Sequence, residues 1–174
     1  MMRLLASLVL APLLAAATIP STPDLGTKEG LCRPDEKGPA FLVNVEGLKD
    51  RRGHLKLEVY PANDKDFLAD DNVLISAGKT FRRREVAVPD RGPVELCIRL
   101  PSAGTYAVTL LHDRDSNRKF GWGVDGIGFA GNPKLGWDKP PANAASVRAG
   151  ATPTRIGIVL NYWRGLSMRP VRKE

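Results

Sequence analysis

The stretch PVELCIRLPSAGTYAVTLLHD, residues 93–113, holds two runs in which apolar and polar side chains alternate with a period of two. In the first, Val94, Leu96 and Ile98 share one face, and Glu95, Cys97 and Arg99 share the other. In the second, Tyr106, Val108 and Leu110 share a face. Successive strand side chains point to opposite sides, so this period specifies half-buried strands and not a helix. The break at Ser102 to Gly104, just after Pro101, has the residues of a tight turn.

The pattern continues on both sides. FLVNVEGL places Phe41, Val43 and Val45 on one face, and HLKLEVY places Leu55, Leu57 and Val59 on one face. The polar KDRRG between them predicts a hairpin. REVAVP pairs in the same way with PVELCIRL across PDRGP, and ASVRA with TRIGIVLNYW across Gly150. No long helical period appears. The chain therefore reads as all-β: an antiparallel two-sheet sandwich of about seven strands, immunoglobulin-like or prealbumin-like. YPANDKDFLADDNVL, residues 60–74, is too polar for a strand and predicts a crossover loop with a helical turn around Asp66 to Ala69. Its carboxylates, Asp64, Asp66, Asp70 and Asp71, read as a solvated acidic loop with Phe67 and Leu68 pinned into the core, cation binding being the alternative.

At 174 residues the chain suits one domain. Residues 1–17, MMRLLASLVLAPLLAAA, carry one positive charge, an apolar run too short to remain across a bilayer, and small residues at the end, the layout of a secretory signal peptide. The predicted organisation is a signal peptide at 1–17, a flexible leader at 18–39 held near its end by Cys32, a sandwich domain at 40–163, and a basic C-terminal tail at 164–174. Export to a periplasmic or extracellular setting follows, with no integral membrane segment after cleavage. An oxidising compartment permits a disulfide between Cys32 and Cys97, and two buried thiols are the alternative. The formal charge of +7 falls to +6 when Arg3 leaves with the leader. In an exported protein this balance, densest at Arg82 to Arg84, favours an anionic envelope polymer or lipid headgroups over nucleic acid, a solvated basic face being the plainer alternative.

The candidate site lies in LLHDRDSNRKFGWGVDGIGFAGN, residues 110–132. An EF-hand loop needs oxygen ligands at positions 1, 3, 5 and 12 and glycine at 6. Asp113, Asp115 and Asn117 fit the first three places, but Arg118 stands where glycine belongs and Val124 where the bidentate acid belongs, with Asp125 one place late. Arg114, Arg118 and Lys119 would also oppose a cation, so a turn capped by its own Asp and Asn side chains is the expectation and calcium the alternative. No other cofactor is implied. His112 beside Asp113 is the better of the two histidines for hydrolysis, yet no Gly-x-Ser-x-Gly elbow accompanies it. Phe120, Trp122, Phe129 and Trp137 are interleaved with glycines in what reads as one long loop from Asp113 to about Ala142. Such aromatics stack on sugar rings or grip an apolar chain, or else plug an open edge of the core. The candidate ligand-binding residues are thus His112, Trp122, Phe129 and Trp137. They point to a non-enzymatic envelope module contacting a saccharide, an anionic polymer or a protein, with a calcium-stabilised adhesion module or a hydrolase using His112 and Asp113 as alternatives.

Several of these segments recur together in a known family. A cysteine ahead of the first strand, LEVYPANDKDFL, VELCIRLPSAGTYAVTLLHDRDSNRKF, GIGFAGNP and IGIVLNYW resemble the bacterial family catalogued as domain of unknown function 2141, over about residues 41–162. The resemblance implies an exported, prealbumin-like β-sandwich and no assigned reaction. Members often carry a glycine inside the Asp/Asn turn and an acid soon after it, where this chain has Arg118 and Lys119-Phe120-Gly121.

Overall fold

The structure is a computed structural model describing residues 19–171. The expected signal peptide and residues 172–174 lie outside the described residues. The fold is an all-β sandwich of two sheets. In chain order its strands are β1 (Ala40–Glu46), β2 (His54–Pro61), β3 (Arg82–Ala87), β4 (Val94–Arg99), β5 (Gly104–Asp113), β6 (Gly126–Phe129), β7 (Ser146–Ala149), β8 (Thr154–Val159), β9 (Asn161–Arg164) and β10 (Ser167–Pro170). Among the described residues two short α-helices, α1 (Thr27–Gly30) and α2 (Asp71–Ser76), and a 3-10 turn at Ala142–Ala145 lie outside the sheets.

The smaller sheet runs β4-β1-β8, with β1 and β8 parallel. The larger runs β10-β9-β6-β5-β2-β3, all antiparallel, and β7 pairs with the first half of β5. Phe41, Val43, Leu96 and Ile98 from the smaller sheet meet Leu55, Leu57, Val59, Val108 and Leu110 from the larger, all buried. These are the residues that the period of two assigned to inward faces.

Neighbours differ from the expected hairpins. β1 and β2 lie in different sheets, as do β3 and β4, and β7 and β8. Alternation specifies which face of a strand is buried, and an inward face suits either sheet of a sandwich equally. TRIGIVLNYW is also not one strand. Leu160 is buried and donates its N–H to Glu46 O at 2.9 Å, and there the chain leaves the smaller sheet as β8 and enters the larger as β9. This adds strands beyond the seven expected.

The domain limits shift at both ends. The segment expected to be a flexible leader packs on β3: Arg83 N–H donates to Gly26 O at 3.1 Å, and Gly26, at φ 75°, sits so close that an added Cβ would lie 2.8 Å from the Phe81 ring. Cys32 and Cys97 form the expected disulfide. Residues 167–170, expected in the tail, form β10, which pairs with β9 and buries Met168. A helical turn forms around Asp66 as expected, with Phe67 N–H donating to Asn63 O at 2.9 Å, and the regular helix α2 follows from Asp71. Phe67 is buried as expected, whereas Leu68 is exposed.

Candidate functional site

The two faces of the larger sheet are filled differently. Its inner face meets the smaller sheet. On its outer face, cross-strand register places Lys56, Leu111 and Ile127 in one row across β2, β5 and β6, and Glu58, Thr109 and Phe129 in the next. Beyond these rows, a second cluster covers the outer face, with Tyr60, Phe67, Phe81 and Ala107 packed around Phe129. Where that cover ends, the face opens into a groove of about 320 Å³. Leu111, Ile127, Phe129 and Met168 contribute to its floor, and Phe120, Trp122 and residues 135–140 to its walls.

Trp122 and Trp137 line this groove, and Trp163 packs against both from outside its lining. Trp163 lies 5.7 Å from Trp122 and 4.8 Å from Trp137, centroid to centroid, and Phe120 adds an edge contact with Trp122 at 5.3 Å. Trp122 is 45% exposed and Trp137 69% exposed. Trp163 did not stand out in the sequence because it ends an apolar strand. Its signal is alternation on β9, which turns Tyr162 inward and Trp163 outward. Phe129, expected beside the tryptophans, is instead 4% exposed and stacked edge-on with Phe67 at 5.9 Å. It is part of the floor.

The polar groups of the groove floor are already partnered, and Asp138 stands exposed in the wall. Lys56 Nζ donates to Arg118 O at 3.0 Å, and Lys139 Nζ to Phe67 O at 2.7 Å. Glu58 accepts from Tyr60 Oη at 2.9 Å and from Arg83 Nε at 2.8 Å. The surface offered to a ligand is therefore mainly apolar.

The segment expected as one loop is broken by β6, and its glycines there are not hinges. Gly126 and Gly128 face inward, opposite His112 and Leu110 on β5. A Cβ on Gly126 would lie 2.3 Å from Tyr162 Cε1, and one on Gly128 would lie 2.6 Å from Ile158 Cγ2. Glycine is needed there so that side chains from β8 and β9 can cross the strand, while Ile127 and Phe129 point to the groove. Gly126→Ala is expected to lose about 1–3 kcal/mol through overpacking, read as a lower midpoint in urea denaturation. An unchanged midpoint would show that Tyr162 does not occupy this position.

His112, expected near a ligand, belongs to the core. It is fully buried, with Nε2 at 2.8 Å from Arg52 O and Nδ1 at 2.6 Å from Tyr162 Oη. A carbonyl can only accept, so Nε2 carries the proton and Nδ1 accepts from the phenol. Tyr162 Oη in turn accepts from Lys49 N–H at 3.1 Å. Burial lowers the His112 pKa, with Arg52 O opposing the fall, and burial pushes the Tyr162 phenol well up. Both groups are held neutral and bonded to protein. His112 and Asp113 thus form no hydrolytic pair, because alternation on β5 sends their side chains to opposite faces and the ring is spent on a structural network.

The Asp/Asn turn caps itself. Asp113 accepts from the N–H groups of Asn117 at 3.2 Å and Arg118 at 2.8 Å, and Asp115 accepts from Asn117 Nδ2 at 2.8 Å. Asn117 Oδ1 is taken by Lys119 N–H at 2.7 Å. Asp125 accepts from Arg114 N–H at 2.8 Å and Gly121 N–H at 2.7 Å. Two sequence arguments need correction. Arg118 adopts φ 65°, the left-handed conformation for which glycine is preferred, so the turn forms without glycine. Arg114 and Arg118 also direct their guanidinium groups to Asp50 and Glu85, so their charge is partly neutralised. Carboxylate oxygens of Asp113, Asp115 and Asp125 lie within 4.8 Å of one another, which brings in Asp125 where the linear spacing had it misplaced.

A family model described as an uncharacterized protein conserved in bacteria, DUF2141, matches residues 43–157. The chain belongs to this family. The DUF2141 match runs from within β1 into β8, so it takes in Leu111, Ile127 and Phe129 of the groove floor, the self-capped turn, Trp122 and Trp137. Trp163 and Met168 lie beyond it. No curated protein and no solved structure matches the chain.

Proposed function

We propose that this DUF2141 protein is an exported, non-enzymatic binding module of the bacterial envelope, whose groove takes a ligand with an apolar face. The carrying observation is that Trp122 and Trp137, backed by Trp163, stand beside an apolar floor whose polar groups are already hydrogen-bonded. A ligand rich in hydroxyls would find few free partners there; an acyl chain or an aromatic ring needs none. Covering about 200 Å² of apolar surface contributes about 5 kcal/mol before association costs, which on its own supports binding no tighter than the sub-millimolar range. Export is supported by the composition of residues 1–17 and by a disulfide that suits an oxidising compartment. No helix among the described residues is long and apolar enough to cross a membrane.

The neutral fluorophore N-phenyl-1-naphthylamine is a suitable probe. Binding to the wild-type protein is expected, weakened at least tenfold by the double substitution Trp122→Ala, Trp137→Ala, with the melting temperature held within a few degrees. Equal binding by both proteins would overturn the assignment. Unfolding of the double variant would identify the indoles as a cover for the core. Binding of an N-acetylglucosamine oligomer without binding of the fluorophore would make the ligand a saccharide.

A calcium-stabilised module is the second reading, favoured by the clustering of Asp113, Asp115 and Asp125. The self-capped turn predicts no calorimetric heat with calcium and no change in melting temperature. A rise of several degrees would favour the second reading.

A further inference from the structure

Four arginines of the described residues are neutralised by acids: Arg83, Arg114, Arg118 and Arg155 each pair with a carboxylate. Arg33, Arg82 and Arg99 line one cleft of about 340 Å³ where β3 of the larger sheet passes β4 of the smaller, and among the described residues none of the three has an ion pair within 4.0 Å. Arg82 donates only Nη1, to Phe81 O at 2.8 Å, and its Nε is buried without a partner. Arg99 donates Nε to Glu29 O at 3.2 Å.

This cleft is independent of the tryptophan groove. Register places Arg82 opposite Val59 and Arg84 opposite Leu57, so both stand on the inner face of the larger sheet, at its edge. Arg83 stands on the other face with Glu58. The Cys32–Cys97 bridge ties the segment carrying Arg33 to the strand carrying Arg99. The acids nearby are Glu29 and Glu36. Glu36 is occupied by the loop, accepting Gly38 N–H at 3.0 Å and Arg33 N–H at 3.2 Å. Burial lowers the proton affinity of Arg82; Glu29 opposes that fall and the neighbouring Arg99 adds to it.

We infer that the cleft between β3 and β4 binds a phosphate-class oxyanion, held by Arg82 and Arg99 with Arg33 at its mouth. Guanidinium groups present planar pairs of N–H donors that match phosphate oxygens, and a bound anion relieves the repulsion between adjacent like charges. Arg84, two residues along β3 on the same face as Arg82, lines a separate cavity with Cys32 and Cys97. A ligand with a second phosphate brings more negative charge to the same guanidinium groups. The competing account is edge protection, in which inward-pointing charges only keep the open sandwich edge from pairing with another chain.

The test is calorimetric titration of the oxidised protein with inorganic phosphate and with pyrophosphate at low ionic strength, using chloride as control. One site is expected, tighter for pyrophosphate, weakened at least tenfold in Arg99→Gln and in Arg82→Gln, and unchanged in Arg91→Gln. Arg99 is only partly buried, so its variant keeps the test valid if Arg82→Gln fails to fold. Co-sedimentation with phosphatidylglycerol vesicles but not phosphatidylcholine vesicles, lost in Arg99→Gln, would assign the anion to a lipid headgroup; phosphate binding without sedimentation would assign it to a soluble ligand. Absence of binding to either probe, or equal binding by wild type and both cleft variants, would overturn the inference and leave edge protection.

Discussion

His112→Ala is expected to lower the stability of the fold by about 3–5 kcal/mol, the range for removing a large, fully buried side chain. The substitution leaves a cavity beneath β5 and strands two groups that now bond to the ring, the Tyr162 hydroxyl and Arg52 O. Urea denaturation of wild type and variant measures the loss directly. A catalytic or ligand-contacting histidine on an open surface would show less than about 1 kcal/mol, and that result would contradict its placement.

The same burial predicts a pH signature. In the native state the His112 pKa is depressed below its ordinary 6.5 because the charged ring would lie in the core. The unfolded chain therefore binds more protons between the native and unfolded values, and in that window stability rises with pH. Stability should be flat just above pH 6.5 and fall as the pH drops towards the native value. His112→Ala should abolish that slope. Asp50, held below the usual carboxylate range by its hydrogen bond from Arg114, weakens the fold only at more acidic pH, near and below about 4. The two windows are separable in one series of unfolding curves.

The second large effect is expected from the disulfide. Cys32 and Cys97 are separated by 65 residues, and closing such a loop removes about 4 kcal/mol of unfolded-chain entropy in the simple chain model. Cys97→Ser, or reduction with a strong thiol, should lower stability by about that amount. The loss should be accompanied by release of residues 19–33 from β3 and β4, because the bridge tethers the segment that carries α1. Limited proteolysis detects this as new cleavage near Cys32. Intact mass should show the two-hydrogen deficit in the native protein. Equal stability of oxidised and reduced forms would contradict this role for the bridge.

Much of the sandwich was legible because burial on one face imposes alternation: Phe41, Leu57, Ile98 and Val108 all point where the period of two placed them. Strand partners were not legible. The same pattern satisfies either sheet, and the crossing at Leu160 depends on a long-range bond to Glu46 O. The candidate site was legible in part. Trp122 and Trp137 stood out as aromatics in a polar, glycine-rich stretch, but Trp163 was hidden in a strand and Phe129 looked exposed because its neighbours are glycines. Those glycines mark clearance for Tyr162 and Ile158, which only the tertiary arrangement reveals. His112 misled for a similar reason: the partners that neutralise it, Tyr162 and Arg52, are far from it in the chain.

The central claim is that the tryptophan groove is the ligand site, and the chain's three tryptophans make it directly testable. Indole Nε1–H resonances of ¹⁵N-labelled protein should be followed while N-phenyl-1-naphthylamine is added. All three indole signals are expected to shift together along one saturable curve, with backbone amides of Leu111 and Ile127 following and those of the Arg82–Arg99 cleft unmoved. Saturable binding that leaves the indole signals in place, or shifts confined to another face of the sandwich, would contradict the account.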